Sequence, residues 1–123
     1  SALTAIFGTE YGIGVNALDN VTTLINAGVD VNHRGAFGET ALIKIANKYS
    51  YWRHYSVDKI IRTLFRAGAD PSIKDNMGRS AFDYAQTKLD KAENEFDRSD
   101  ALELIKLLNE HETIRKQALK KIL

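Results

Sequence analysis

The 123-residue chain predicts an all-α architecture, a helical solenoid of about three stacked units with hairpin loops projecting from one edge, on three observations. First, the chain repeats itself. LINAGVDVN at 24–32 matches LFRAGADPS at 64–72, and GETAL at 38–42 matches GRSAF at 78–82, both at an offset of 40. SALTAI at 1–6 aligns with TALIKI at 40–45 and SAFDYA at 80–85, and VDKIIRTLFRA at 57–67 returns as DALELIKLLNE at 100–110. A fixed period of this length marks units that bury their apolar sides only by stacking on one another. Second, the apolar residues within a unit follow helical spacing. Third, a single proline in the whole chain lets helices run long. The units fall at about 1–39, 40–79 and 80–123, forming one domain.

Each element has a local cause. Ser1, Thr40 and Ser80 precede short apolar segments, as N-cap residues do. In the second unit, Ala41, Leu42, Ile45 and Ala46 make one face of a first helix. Val57, Ile60, Ile61, Leu64 and Phe65 make the buried side of a second, with Lys59, Arg62 and Arg66 on its polar side. Gly28 and Gly68 fall where a left-handed residue ends a helix. Extended polar segments follow, Asp30 to Glu39 and Asp70 to Arg79, where Gly35 and Gly38, or Asn76 and Gly78, are expected to supply the positive φ of a reversing chain. Asp30 and Asp70 are expected to stabilise turns, and Asn32 to satisfy hairpin backbone. Asn109-Glu110-His111-Glu112 has no glycine, so the last helix is expected to continue through Ile114, Ala118 and Ile122 as a C-terminal capping helix.

These residues resemble the ankyrin repeat family. GVDVN at 28–32 and GADPS at 68–72 match that family's helix exit, and Asp75-Asn76-Met77-Gly78 matches its D-x-x-G turn, where Gly35-Ala36-Phe37-Gly38 keeps only the glycine. The likeness runs from residue 1 to about 110. The units here are 39 to 44 residues against the usual 33 or so, the surplus lying between the paired helices at 7–18, 47–57 and 86–100. Thr40-Ala41 and Ser80-Ala81 replace the Thr-Pro of the helix start. Thr4, Ile43 and Asp83 occupy the histidine position whose hydrogen bonds tie neighbouring units. The resemblance implies a protein-binding module and, for Asn32, a likeness to hydroxylated asparagines. The lengthened units look like those of divergent bacterial, viral or parasite members.

Composition excludes several classes. Hydrophobic residues are 44% and charged residues 27%, a globular balance, and cysteine is absent, which removes disulfides, thiolate metal sites and cysteine nucleophiles. A net charge of +1 argues against a duplex-DNA binder. No apolar run approaches 18 residues, so no membrane span is expected. The opening SALTAIFGTEYGIG has no basic stretch leading into an apolar core, so no signal peptide is read there. The chain starts with Ser, inside a unit, and is expected to be a fragment of a longer intracellular, cytoplasmic protein, or of an effector acting in a host cytoplasm.

Nothing in the sequence assembles into reaction chemistry. His111-Glu112 begins a zinc-helix pattern, but Arg115 stands where the second imidazole is needed; a solvated helix face is the expectation. His33 and His54 read as surface or turn histidines. Gly12-Ile13-Gly14 lacks the third glycine or the Gly-Lys-Ser/Thr of a phosphate loop. No catalytic residue, metal ligand or cofactor is expected.

Binding candidates are clearer. YSYWRHY at 49–55 crowds four aromatics, an arginine and a histidine into an insertion, and Tyr, Trp and Arg dominate binding hot spots; the alternative is that Trp52 roofs an enlarged inter-helix loop. Phe37 and Met77 are apolar residues at turn tips. The contact set is Phe37, Glu39, Lys48, Tyr51, Trp52, Asn76, Met77 and Arg79. Charge is also segregated. Lys44, Lys48, Arg53, Lys59, Arg62 and Arg66 face only Asp58 within 44–66, whereas 90–112 carries eight acids against Lys91, Arg98 and Lys106. Adjacent outer helices are expected to pair these charges; a basic-aromatic patch at 44–55 meeting an acidic partner is the second reading. The expected function is a non-catalytic protein–protein interaction module, monomeric as a fragment, presenting a concave surface of turn tips and first-helix residues. The alternatives are a regulatory or targeting domain of a larger enzyme or effector, and a structural or self-associating spacer.

Overall fold

Hydroxyl side chains cap two of the helices. Ser80 Oγ accepts the Asp83 N–H at 3.3 Å while the Asp83 carboxylate accepts the Ser80 N–H at 2.8 Å, a reciprocal cap. Asp83 holds one of the positions where the histidine that ties units is missing, and its carboxylate is turned to its own cap. Thr40 Oγ1 accepts the Ile43 N–H at 3.2 Å. The structure, a computed structural model, describes residues 2–7, 16–52 and 55–122, so Ser1 and the Gly12–Gly14 segment lie outside the described residues. In chain order the helices are α1 (Ala2–Ile6), α2 (Ala17–Asn26), α3 (Ala41–Trp52), α4 (Val57–Arg66), α5 (Ala81–Asp90), α6 (Glu95–Asn109) and α7 (His111–Ile122). The described residues contain no strand, and their regular structure is all helical.

The helices pair along the chain, α1 with α2, α3 with α4 and α5 with α6. They also pack in two rows: α3 lies between α1 and α5, and α4 touches α2, α6 and α7. The buried residues run through both rows, from Leu3 and Val21 through Ile45, Ile60, Ile61 and Leu64 to Leu104 and Leu108. Fully burying one such side chain contributes about 1.5–3 kcal/mol, and no buried side-chain polar atom among the described residues is left without a partner.

The helix exits after α2 and α4 are alike. Gly28 and Gly68 take φ of +87° and +95°. Their N–H groups bond to Ile25 O and Phe65 O, and the next N–H in each case reaches Leu24 O or Leu64 O, closing the helix with a left-handed residue. Asp30 and Asp70 then each accept a backbone N–H two residues on, from Asn32 and Ser72, at 2.9 Å, the turn role expected of them.

Four expectations are corrected. In the 47–57 surplus, the first six residues continue α3 to Trp52 instead of entering a loop. Likewise α5 runs to Asp90 and α6 starts at Glu95, after an Asn94 cap that accepts the Asp97 N–H at 2.9 Å. Gly35 and Asn76 do not take positive φ; only Gly38 and Gly78 do so in these turns. At Gly35 a Cβ would stand 2.5 Å from the Glu39 carboxylate, which would have to move aside. Finally, α6 does not run on. It ends at Asn109, and α7 packs against α4 with Ile114 buried and Ile122 exposed.

Candidate functional site

The turns at 35–39 and 75–79 share one backbone pattern. Gly35 N–H bonds Glu39 O and Gly38 N–H bonds Gly35 O; Asp75 N–H bonds Arg79 O and Gly78 N–H bonds Asp75 O. In the second turn the Asp75 carboxylate accepts the Met77 and Arg79 N–H groups at 2.9 and 3.0 Å and the Tyr84 hydroxyl. Burial opposes ionisation of Asp75, but the Tyr84 hydroxyl and the two N–H groups outweigh it and hold the carboxyl below the usual range. The first turn has glycine in place of that aspartate. There the Glu39 carboxylate, reaching from the other limb of the turn, accepts the Phe37 N–H at 3.0 Å. Gly35 and Glu39 are therefore a matched pair.

The turns are joined. Asn76 N–H bonds Phe37 O at 3.0 Å, and Arg34 reaches Gly38 O and the Asn76 side chain. Further back, the Asn32 side chain donates to Gly68 O at 3.1 Å and accepts the Asp70 N–H at 2.8 Å. Asn32 thus stitches its own loop to the next one, a wider role than satisfying a single hairpin.

This frame presents Phe37 and Met77 as neighbouring tips, 77% and 74% exposed. Both line a groove of about 440 Å³ with Glu39, Lys48, Asn76 and, on its floor, Phe7 and Ile43. Asn47 and Tyr84 carry the surface on into a second depression, about 380 Å³, lined by Ser50, Tyr51, Lys88 and Lys91. Tyr51 is 75% exposed, and the Lys48 ammonium lies over its ring, 5.6 Å from the centroid. Burial pushes the Lys88 ammonium pKa down; Asp100 and Asp97 oppose that shift, and Lys48 adds to it.

Five of the candidate residues, Phe37, Glu39, Lys48, Asn76 and Met77, therefore share one groove, and Tyr51 stands in the adjoining one. Arg79 is exposed but outside both linings. Trp52 must be withdrawn as a surface contact. It is 2% exposed and packs on Phe7, ring centroids 5.9 Å apart, because it lies seven residues after Ile45 and three after Tyr49 on the buried face of the lengthened α3. Lys88, Tyr84 and Asn47 were not singled out from sequence. The available signal was helical spacing, Tyr84 with Lys88 and Lys44 with Asn47, Lys48 and Tyr51, each on one helix face.

A larger cavity, about 640 Å³, lies between the 68–72 loop and the start of α7. Several of its polar groups are engaged locally: Asn32 bridges the loops, Asp70 accepts from Ser72, and His111 sits 2.9 Å from Leu108 O and 3.1 Å from Glu112, with rings of Phe65 and Phe82 at 5.9 Å. His111 is thus half-buried among aromatics and not on a solvated face. Among the described residues no cluster of His, Asp or Glu is arranged to hold a metal ion, and no helix is long and apolar enough to cross a membrane.

No protein-family model matches the chain. Over 68 residues it is 43% identical to a Plasmodium falciparum (isolate 3D7) protein described as "Putative E3 ubiquitin-protein ligase". That match covers 54% of this chain and 1% of the length of the Plasmodium protein.

Proposed function

We propose that the protein is an ankyrin-type interaction module that binds another protein, without catalysis of its own, along the surface running from the turn tips over α3 and α5. One observation carries the reading: Phe37 and Met77, large apolar side chains on adjacent, hydrogen-bonded turns, are held in solvent over a shared groove. Apolar side chains fixed outward on a rigid frame are the anchors an interface uses. The two rows of helices and the repeated turns support the solenoid reading, since in such a stack each unit contacts only its neighbours and the loops share one edge. A second reading is a non-catalytic targeting domain of a larger enzyme. It draws support from the partial match to the Plasmodium protein described as an E3 ubiquitin-protein ligase.

The test is site-specific photo-crosslinking in cells, with a benzophenone amino acid at position 37, 77 or, as a control on another face, 66. One partner captured from 37 and 77 but not from 66 is expected. Phe37→Ala with Met77→Ala should then weaken the purified partner's binding by about 2 kcal/mol or more without changing the melting temperature. Capture from position 66 alone, or unchanged affinity, would overturn the reading.

A further inference from the structure

We propose that the occupant of this groove is an extended acidic peptide segment carrying an apolar residue, the apolar side chain seated between Phe37 and Met77 and the carboxylates directed to Lys48, Lys88 and Lys91. The inference rests on the protein-binding reading above and names the partner's chemistry.

The groove's own anions near the turn tips are already committed. Glu39 accepts the Phe37 N–H and lies 3.7 Å from Lys44, while Asp75 is filled by two N–H groups and a hydroxyl. The cations further along are not committed. Lys48 meets the face of Tyr51, and Lys48, Lys88 and Lys91 form no ion pair among the described residues. Lys88 is half-buried; burial and Lys48 penalise its charged form, and Asp100 and Asp97 offset that only in part. An incoming carboxylate would relieve that penalty, which a neutral or basic segment cannot do. Asp97 also lines the second depression beside Lys88 and Lys91, so the charge met there is that of two cations against one anion. The two depressions share Asn47 and Tyr84 in their linings and so lie side by side. A strand-like segment advances about 3.3 Å per residue with side chains alternating in direction, so one chain can present an apolar group to the tips and carboxylates to the lysines.

The full 123-residue chain is titrated by fluorescence polarisation with three synthetic peptide pools of roughly a dozen residues. Each pool has a central leucine flanked by glutamate, serine or lysine. The Glu pool is expected to bind at least about tenfold more tightly than the Lys pool, with an advantage that shrinks as salt rises. Lys48→Gln with Lys91→Gln, both at exposed positions, should remove most of that advantage and leave the Ser pool unchanged. Equal binding of the Glu and Ser pools would overturn the inference. So would absence of binding by all three pools, or tighter binding of a single-stranded RNA oligonucleotide than of the Glu pool. If the Ser or Lys pool binds best and is weakened by Phe37→Ala with Met77→Ala, the acidic-peptide inference falls while the protein-binding surface stands; the crosslinking experiment decides that surface independently.

Discussion

Tryptophan 52 shows how one residue's role turns on its helix. As part of an aromatic cluster it reads as a binding anchor; as the last residue of α3 it faces Phe7 and the core. Truncating it leaves a large cavity, so Trp52→Ala should cost about 3–5 kcal/mol, measured by urea unfolding. Its native fluorescence should be blue-shifted and resist acrylamide quenching; a red-shifted, readily quenched Trp52 would contradict its burial. Asp75 gives a pH signature. Its folded pKa lies below the ordinary value of about 4, so folding is favoured by its ionisation. That stability is fully present above about pH 4 and is lost as pH falls through the folded pKa. The wild type should therefore lose stability below about pH 4 more steeply than Asp75→Asn, which should be the less stable protein at pH 7; parallel acid-unfolding curves would show that Asp75 is not a source of the acid sensitivity.

At the scale of elements, the loops are built as a pair. Asn32 is the tie between them, with one donated and one accepted hydrogen bond to the next loop's backbone. Asn32→Ala should cost about 0.5–1.5 kcal/mol for each bond lost, with amide exchange accelerating at Asp70 before it does in α4. Uniform acceleration across the helices would mean that the loops are held by packing alone. Much of this level was legible in sequence: the caps at Thr40 and Ser80, the left-handed exits at Gly28 and Gly68, and the turn aspartates all act through residues within a few positions of themselves. The extension of α3 was legible only in part. Ile45, Tyr49 and Trp52 carry helical spacing, but aromatic composition suggests a loop or a patch equally well. The Gly35–Glu39 pairing was hidden, because a glycine whose open side takes a neighbour's carboxylate has the same identity as one required for φ.

For the molecule as a whole, α7 and the segregated charges meet at α4. Arg62 contacts Glu110, between α6 and α7, at 3.0 Å, one pair of the kind expected between the basic and acidic stretches, and Asp58 of its own helix at 3.3 Å. Such partly exposed pairs contribute only about 0.2–1 kcal/mol, so α7 is held mainly by Ile114 and the His111 contacts with Phe65 and Phe82. Ending the chain after Glu110 keeps Arg62–Glu110 but uncovers that apolar side of α4. The shortened protein should remain helical by circular dichroism, melt several degrees lower, as a loss of 1–2 kcal/mol implies for a domain of this size, and bind a dye such as ANS. An unchanged melting temperature would show α7 to be dispensable.

What the amino-acid order determined alone is the repeat and its local grammar: helix faces, caps, glycine exits and turn aspartates, all set by contacts within a few residues. Which aromatic faces the core, which carboxylate serves which turn, and which lysines are left uncommitted were decided by the tertiary structure. Those properties depend on residues about 40 positions apart being brought side by side, and on the row of helices in which each one lands. Phe37 and Met77 illustrate the division: their apolar character is plain in the sequence, but that they stand as neighbours over one groove follows from the hydrogen bond between Asn76 and Phe37 that joins the two turns.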